Sequence, residues 1–214
     1  MQPITDFFHR FSNLPELVQW AGLIGLTIIV FSETGLLVGF FLPGDSLLVT
    51  AGLLAGTGYL NVYELAPILT LAAISGNSVG YFIGHATGPR IFTRENSLFF
   101  HKKHAIRAAE FYAKHGRKTI VLAQFMPIIR TFSPVIAGVG EMKFQTFLTF
   151  NVLGALLWVW SMLGIGYFLG NYIPGIDKHI EIVVIIVVFI SLLPGLISAY
   201  RSRRANQAEQ APRR

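Results

Sequence analysis

One arginine stands between two prolines inside a run that otherwise reads as membrane: Gln124-Phe125-Met126-Pro127-Ile128-Ile129-Arg130-Thr131-Phe132-Ser133-Pro134-Val135-Ile136-Ala137-Gly138. An arginine at the centre of a hydrocarbon span costs roughly 2.5–3.5 kcal/mol on insertion scales, so its default reading is functional. Proline removes a backbone N–H and clashes with the preceding turn. A charged, doubly broken segment makes a poor span and a good cavity lining.

The rest of the chain supports a membrane setting. Of 214 residues, 53% are hydrophobic and only 13% are charged, against about 25% in a typical soluble domain. The apolar residues come in long blocks, which predicts an all-α integral membrane protein. The net charge of +6 does not point to nucleic acid, because the basic residues fall where topology places them. The absence of cysteine excludes disulfides, zinc thiolate sites and iron–sulfur clusters. Asp6 and Arg10 without a basic cluster or small-residue cleavage site argue against a cleavable signal.

Residues 1–16 carry Ile4, Phe7, Phe8, Phe11 and Leu14 at helical spacing, with Asp6, His9, Arg10 and Asn13 between them. That pattern predicts an amphipathic helix on the bilayer surface. A membrane domain follows over 17–200, and a basic tail over 201–214. Four full spans are expected, at about 18–36, 62–86, 144–170 and 180–200. Pro43-Gly44-Asp45-Ser46 interrupts the apolar run, and the segment 46–56 rises only ~15 Å, so it enters the membrane without crossing. Residues 119–140 form the second such segment. Gly76, Gly80, Gly84 and Gly88 make a small-residue stripe that admits a close neighbour. With the 88–118 loop and both termini in the cytoplasm, only Lys178 of the seventeen lysines and arginines lies outside and only Arg130 lies within, as the positive-inside rule requires.

The chain also matches itself at an offset of 84 to 86 residues. Phe41-Leu42-Pro43 falls on Phe125-Met126-Pro127, and Ala51-Gly52 on Ala137-Gly138. Gly80-Tyr81-Phe82-Ile83-Gly84 falls on Gly166-Tyr167-Phe168-Leu169-Gly170. Repeat halves of about 17–87 and 101–170 would then have opposite orientation, with two facing re-entrant hairpins. That is the usual plan of secondary transporters, whose sites lie near the midplane.

The two tips are chemically complementary. Asp45 stands where an N-cap would stand for a half-helix from Ser46. Ser133 is expected to cap the second half-helix, with Pro134 at its first position. Such ends suit anions, and Arg130 adds a guanidinium matched to phosphate oxygens. Thr131 adds a hydroxyl. The alternative is that Arg130 only neutralises Asp45 or Glu33. Glu33 and Asp45, in low dielectric beside an arginine, can exchange protons as Arg130 changes partner. His101, His104 and His115 lack a completing carboxylate or cysteine, so they read as solvated loop residues and no metal is expected. No nucleophile triad, Walker loop or HExxH pattern appears, and Ser133 has no evident base, so no enzyme activity and no cofactor are expected.

These residues resemble the DedA family, also described by the SNARE-associated or VTT domain. The resemblance covers roughly residues 15–200. It is carried by Glu33, Phe41-Leu42-Pro43-Gly44-Asp45, Gly76-Asn77-Ser78-Val79-Gly80-Tyr81-Phe82-Ile83-Gly84, Phe125-Met126-Pro127-Ile128-Ile129-Arg130-Thr131, Ala137-Gly138 and Asn151-Val152-Leu153-Gly154-Ala155-Leu156-Leu157-Trp158. It implies facing re-entrant helices, a bacterial inner membrane, no known catalytic reaction and a role in envelope lipid homeostasis. It further implies return of polyprenyl phosphate, such as undecaprenyl phosphate, between leaflets with dependence on the proton motive force. The family's acidic pair falls on Glu33 and Asp45, and its second arginine on Arg130. The family pattern usually has an arginine just before this phenylalanine; here Gln124 removes one positive charge from the implied headgroup site.

The expected function is therefore a proton-coupled lipid-phosphate translocase with membrane lipids as partners. A non-selective scramblase, a proton-linked exporter and a scaffold without transport remain alternatives, and the oligomeric state is open. Substrate contacts are expected from Arg130, Thr131, Ser133 and Gln124, proton coupling from Glu33 and Asp45. Structural roles fall to Pro43, Gly44, Pro127, Pro134, Gly76, Gly80 and Gly84.

Overall fold

A computed structural model describes residues 14–36, 44–88 and 119–173, together with Ile176 and Ile186. The surface helix expected over 1–16 lies almost wholly outside the described residues. So do Pro43, the 88–118 loop beyond Gly88, the last expected span except for Ile186, and the basic tail.

The regular secondary structure of the described residues is all helical. They form α1 (Leu14–Gly35), α2 (Gly44–Gly56), α3 (Val62–Thr87), α4 (Thr119–Ala123), α5 (Pro127–Val139) and α6 (Phe144–Tyr172). Two of these, α3 with 26 residues and α6 with 29, are long and apolar enough to cross a membrane. At 1.5 Å per residue they reach ~39 and ~43 Å. The expected spans at 62–86 and 144–170 are these two helices. The span expected at 18–36 is different: Gly22, at φ 55 and ψ −162, interrupts the helix. Only glycine holds such a φ without strain. The apolar helix beyond it, Gly22–Gly35, is ~21 Å long, short of the ~30 Å hydrocarbon core.

Helix starts explain two further corrections. Ser133 does not cap a half-helix with Pro134 at its first position. α5 begins seven residues earlier, with Pro127 in its first turn and Met126 as N-cap, and Pro134 lies inside it. The chain has already turned at 124–126, where the N–H groups of Gln124, Phe125 and Met126 donate to the carbonyls of Val121, Leu122 and Ala123. Pro127 can then head the helix, because its missing N–H would have been unpaired there anyway. Arg130 N–H donates to Met126 O at 2.8 Å, which puts the arginine in the first turn of α5. Asp45, likewise, is the second residue of α2 and not its N-cap. α3 has a side-chain cap in Asn61, whose Oδ1 accepts from Tyr63 N–H at 3.0 Å.

The helices pack through glycine. α2 lies against α6, where a Cβ on Gly52 would stand 2.2 Å from Leu163 O and one on Gly166 2.0 Å from Val49 O. α5 lies against α3 in the same manner: a Cβ on Gly138 would stand 2.1 Å from Tyr81 O, and one on Gly84 2.0 Å from Val135 O. Gly80 faces Pro134 in this contact, and Gly76 faces Phe31 and Thr34 of α1. Gly52 with Gly138, and Gly84 with Gly170 or Gly80 with Gly166, are the residues that the sequence offset pairs. α2 thus packs on α6 and α5 on α3, backbone to backbone. α2 is buried from Gly44 to Ala55, as befits a helix apolar on every face.

The two long helices are joined by a polar contact. Asn77 Nδ2 donates to Asn151 Oδ1 at 2.8 Å, and Asn151 Nδ2 donates to Ile74 O at 3.0 Å. Next to it, Tyr81 donates its hydroxyl to Met142 O and stacks on Phe147 at 4.7 Å between ring centroids.

Candidate functional site

Five elements converge on Arg130. Glu33 comes from the last turn of α1, Asp45 from the first turn of α2, Gln124 from the turn after α4, Arg130 from the first turn of α5, and Trp158 from α6. All five side chains are buried. Trp158 is the middle residue of α6, so the site lies at mid-height of a helix long enough to span.

The guanidinium is held on several sides. Nη1 donates to Asp45 Oδ1 at 2.7 Å and to Gln124 O at 3.2 Å. Nη2 forms an ion pair with Glu33 Oε1. The indole of Trp158 lies beneath it, with Cζ 4.2 Å from the ring centroid, a cation–π contact strengthened by desolvation. Trp158 Nε1–H also donates to Asp45 Oδ1 at 2.8 Å. Of the two partners weighed for Arg130, Glu33 and Asp45, the structure pairs it with both.

The Glu33 carboxylate sits against the start of α2. A Cβ on Gly44 would lie 1.6 Å from Glu33 Oε2, so glycine is required for this approach. A helix N-terminus favours a carboxylate there. Oε2 packs against the Gly44 backbone, and Gln124 Oε1 has no hydrogen-bond partner among the described residues. Desolvating three charges costs several kcal/mol per ion and is repaid only by close pairing. An arrangement of one cation and two carboxylates in this position is therefore strongly coupled: moving one partner exposes the others.

Of the expected substrate residues, Arg130 is central and Gln124 reaches it through its backbone carbonyl. The Gln124 side chain lies along α6, where a Cβ on Gly154 would stand 2.9 Å from its Cγ. The Thr131 hydroxyl donates to Pro127 O at 3.2 Å within α5. Ser133 is buried one turn from Arg130. Among the described residues no group of three His, Asp or Glu could hold a metal.

The sequence alone gives Trp158 no role at the site. The signal was present, since tryptophan is enriched at membrane interfaces and this one stands at mid-span. Trp158→Phe keeps a ring over Arg130 and removes only the N–H donor. It is expected to cost about 1–3 kcal/mol, read as a lower unfolding midpoint in detergent; an unchanged midpoint would show that the bond to Asp45 contributes nothing.

The VTT domain family matches residues 42–168, which include Asp45, Arg130 and Trp158. The protein DedA of Escherichia coli K12 is 43% identical over 209 residues, covering 94% of each chain. An uncharacterised membrane protein of Mycobacterium tuberculosis, Rv0364, is 44% identical over 198 residues, covering 90% of this chain and 86% of its own. The E. coli inner membrane protein YqjA is 37% identical over 147 residues, covering 68% of this chain and 66% of its own. No solved structure matches. The domain match and the near-full-length similarity agree with the helical architecture: this chain belongs to the DedA family of VTT-domain membrane proteins.

Proposed function

We propose that the protein moves a lipid phosphate across a bacterial cytoplasmic membrane, most specifically a polyprenyl phosphate such as undecaprenyl phosphate, and that proton transfer accompanies the movement. The observation that carries this reading is a buried arginine at mid-height of α6, paired with two carboxylates. Arginine binds phosphate and carboxylate with the same planar fork. Glu33 and Asp45 therefore occupy donors that a phosphate would use. With both carboxylates ionised, the three residues sum to minus one. A phosphate monoanion added to that cluster would deepen the negative charge in low dielectric, and protons taken up by the carboxylates would offset it. Arg130 then exchanges a carboxylate for the phosphate, and the exchange reverses when the protons leave.

In this reading α2 and α5 are the tips of two re-entrant hairpins in an inverted repeat. The reciprocal glycine packing of α2 on α6 and α5 on α3 supports it. The protein is multi-pass, with both termini and the basic loop in the cytoplasm. The outer face of α1 and α3 carries an open apolar groove of about 560 Å³, lined by Thr27, Ile28, Phe31, Ile68, Leu71 and Ser75 among others. Such a surface suits hydrocarbon chains.

The test is leaflet transfer of a labelled polyprenyl phosphate in proteoliposomes. Arg130→Ala and Asp45→Asn, at wild-type abundance, are each expected to slow transfer by at least about tenfold, one hydrogen-bonded charge contact of ~1.5–3 kcal/mol. A scaffold would tolerate both changes, and unchanged transfer in both variants sinks the proposal.

A further inference from the structure

Two buried acceptor atoms along one side of α6 have no hydrogen-bond partner among the described residues, and a buried carboxylate oxygen lies near them. Glu33 Oε2 lies within the Arg130 cluster, Gln124 Oε1 lies beside it, and Asn77 Oδ1 lies at the contact between the long helices. Their residues are 2%, 2% and 0% exposed. A buried acceptor without a partner costs about 1–3 kcal/mol, and native proteins commonly satisfy such groups with ordered water.

Two of the three, with the Arg130 cluster at one end, follow one helix face. Asn151, Gly154 and Trp158 follow one another on α6 at helical spacing. Asn151 binds Asn77, Gly154 receives the Gln124 side chain, and Trp158 binds Asp45 and underlies Arg130. The whole series spans ~10 Å of helix rise. Gly154 contributes no side chain, which lets Gln124 pack directly on the α6 backbone between two polar residues. Beyond Asn77, Tyr81 is stacked on Phe147 at 4.7 Å and tilted on Phe144 at 5.4 Å. These rings separate the series from the exposed His85.

We propose that this face of α6 is a hydration site: a short file of bound water running from the Arg130 cluster past Gln124 to Asn77, closed at its far end by the Tyr81–Phe147–Phe144 rings. Gln124 Oε1 and Asn77 Oδ1 are its fixed acceptors, and Glu33 Oε2 is the carboxylate it reaches. Under the transport reading above, on which its role rests, the file carries protons to and from the carboxylates. Gln124 suits this task, because an uncharged amide accepts from water without competing with Arg130 for the anions.

The chain has no cysteine, so single thiols can be read without background. A thiol reacts as thiolate, and an apolar setting keeps it protonated. Gln124→Cys, Asn77→Cys and Asn151→Cys, reconstituted in lipid, are treated with the small, uncharged, membrane-permeant methyl methanethiosulfonate. Ala66→Cys and Leu69→Cys, both in the apolar core, serve as controls. The file predicts modification at 124, 77 and 151 at least about tenfold faster than at 66 and 69, a difference of one unit in thiol pKa. Equal rates overturn it.

Where the cysteine variants do not reach wild-type abundance, the unmodified chain decides. Hydroxyl-radical labelling in ¹⁸O water is expected to mark Trp158, which is 0% exposed, faster than Trp160, which is 52% exposed on the outer face. Labelling of Trp158 no faster than Trp160 overturns the file. Neither readout uses transport. A dry column therefore leaves the lipid-phosphate reading standing, and a wet column without lipid transfer does the reverse.

Discussion

Arg130→Ala will destabilise the protein by about 3–5 kcal/mol, because it leaves two buried carboxylates without their cation. Among the described residues, both Glu33 and Asp45 form ion pairs with this one side chain. Trp158 can retain its bond to Asp45, but it supplies no charge. Arg130→Lys will not rescue the loss. An ammonium is a point charge, and this site uses two guanidinium nitrogens aimed at two different acids, with the planar group lying over an indole. The informative variant removes all three charges: Arg130→Met with Glu33→Gln and Asp45→Asn. Replacing a whole buried ion cluster with uncharged groups is often neutral or stabilising, so the triple variant should recover most of the unfolding midpoint in detergent. Lipid-phosphate transfer should stay lost. Recovery of stability together with transfer would assign the cluster to structure alone. Failure to recover stability would show that the three charges are not energetically one unit.

The second large effect lies in the glycine contacts. Gly138→Val will place a side chain where a Cβ alone would stand 2.1 Å from Tyr81 O. The obstacle is backbone, so α3 and α5 must separate. Overpacking of this kind costs typically 1–3 kcal/mol, and a shift of whole helices puts the expected cost at about 3 kcal/mol or more. Gly52→Val should cost the same, because its Cβ would stand 2.2 Å from Leu163 O in the contact between α2 and α6. Equal losses in the unfolding midpoint would express the reciprocity of the two contacts. A large loss at one position and none at the other would show that the two contacts are not energetically equivalent, whatever their backbone geometry.

The charged tips were legible because Glu33, Asp45 and Arg130 interrupt apolar runs, and a charge there has few bland explanations. The glycines were legible by spacing, and α3 and α6 by length. Other features depend on tertiary partners. Two prolines, Pro127 and Pro134, could each head a helix; the turn at 124–126 decides for the first. Gly22 looks like any glycine in a span until its φ is known. The N–H of Trp158 matters only because Asp45 is within 2.8 Å of it. Asn77 and Asn151, 74 residues apart, sit in motifs that show which residues occur and not which of them meet. The pairing of Arg130 with both acids could be framed from sequence only as a choice between them.

The central claim is that a phosphate takes over the donors now held by carboxylates. A structure determined in lipid with a polyprenyl phosphate bound tests this most directly. The account predicts phosphate oxygens within ~3 Å of the Arg130 guanidinium, with the contact to Asp45 or Glu33 opened to admit them. A phosphate bound elsewhere, with Arg130 still joined to both carboxylates, would contradict it.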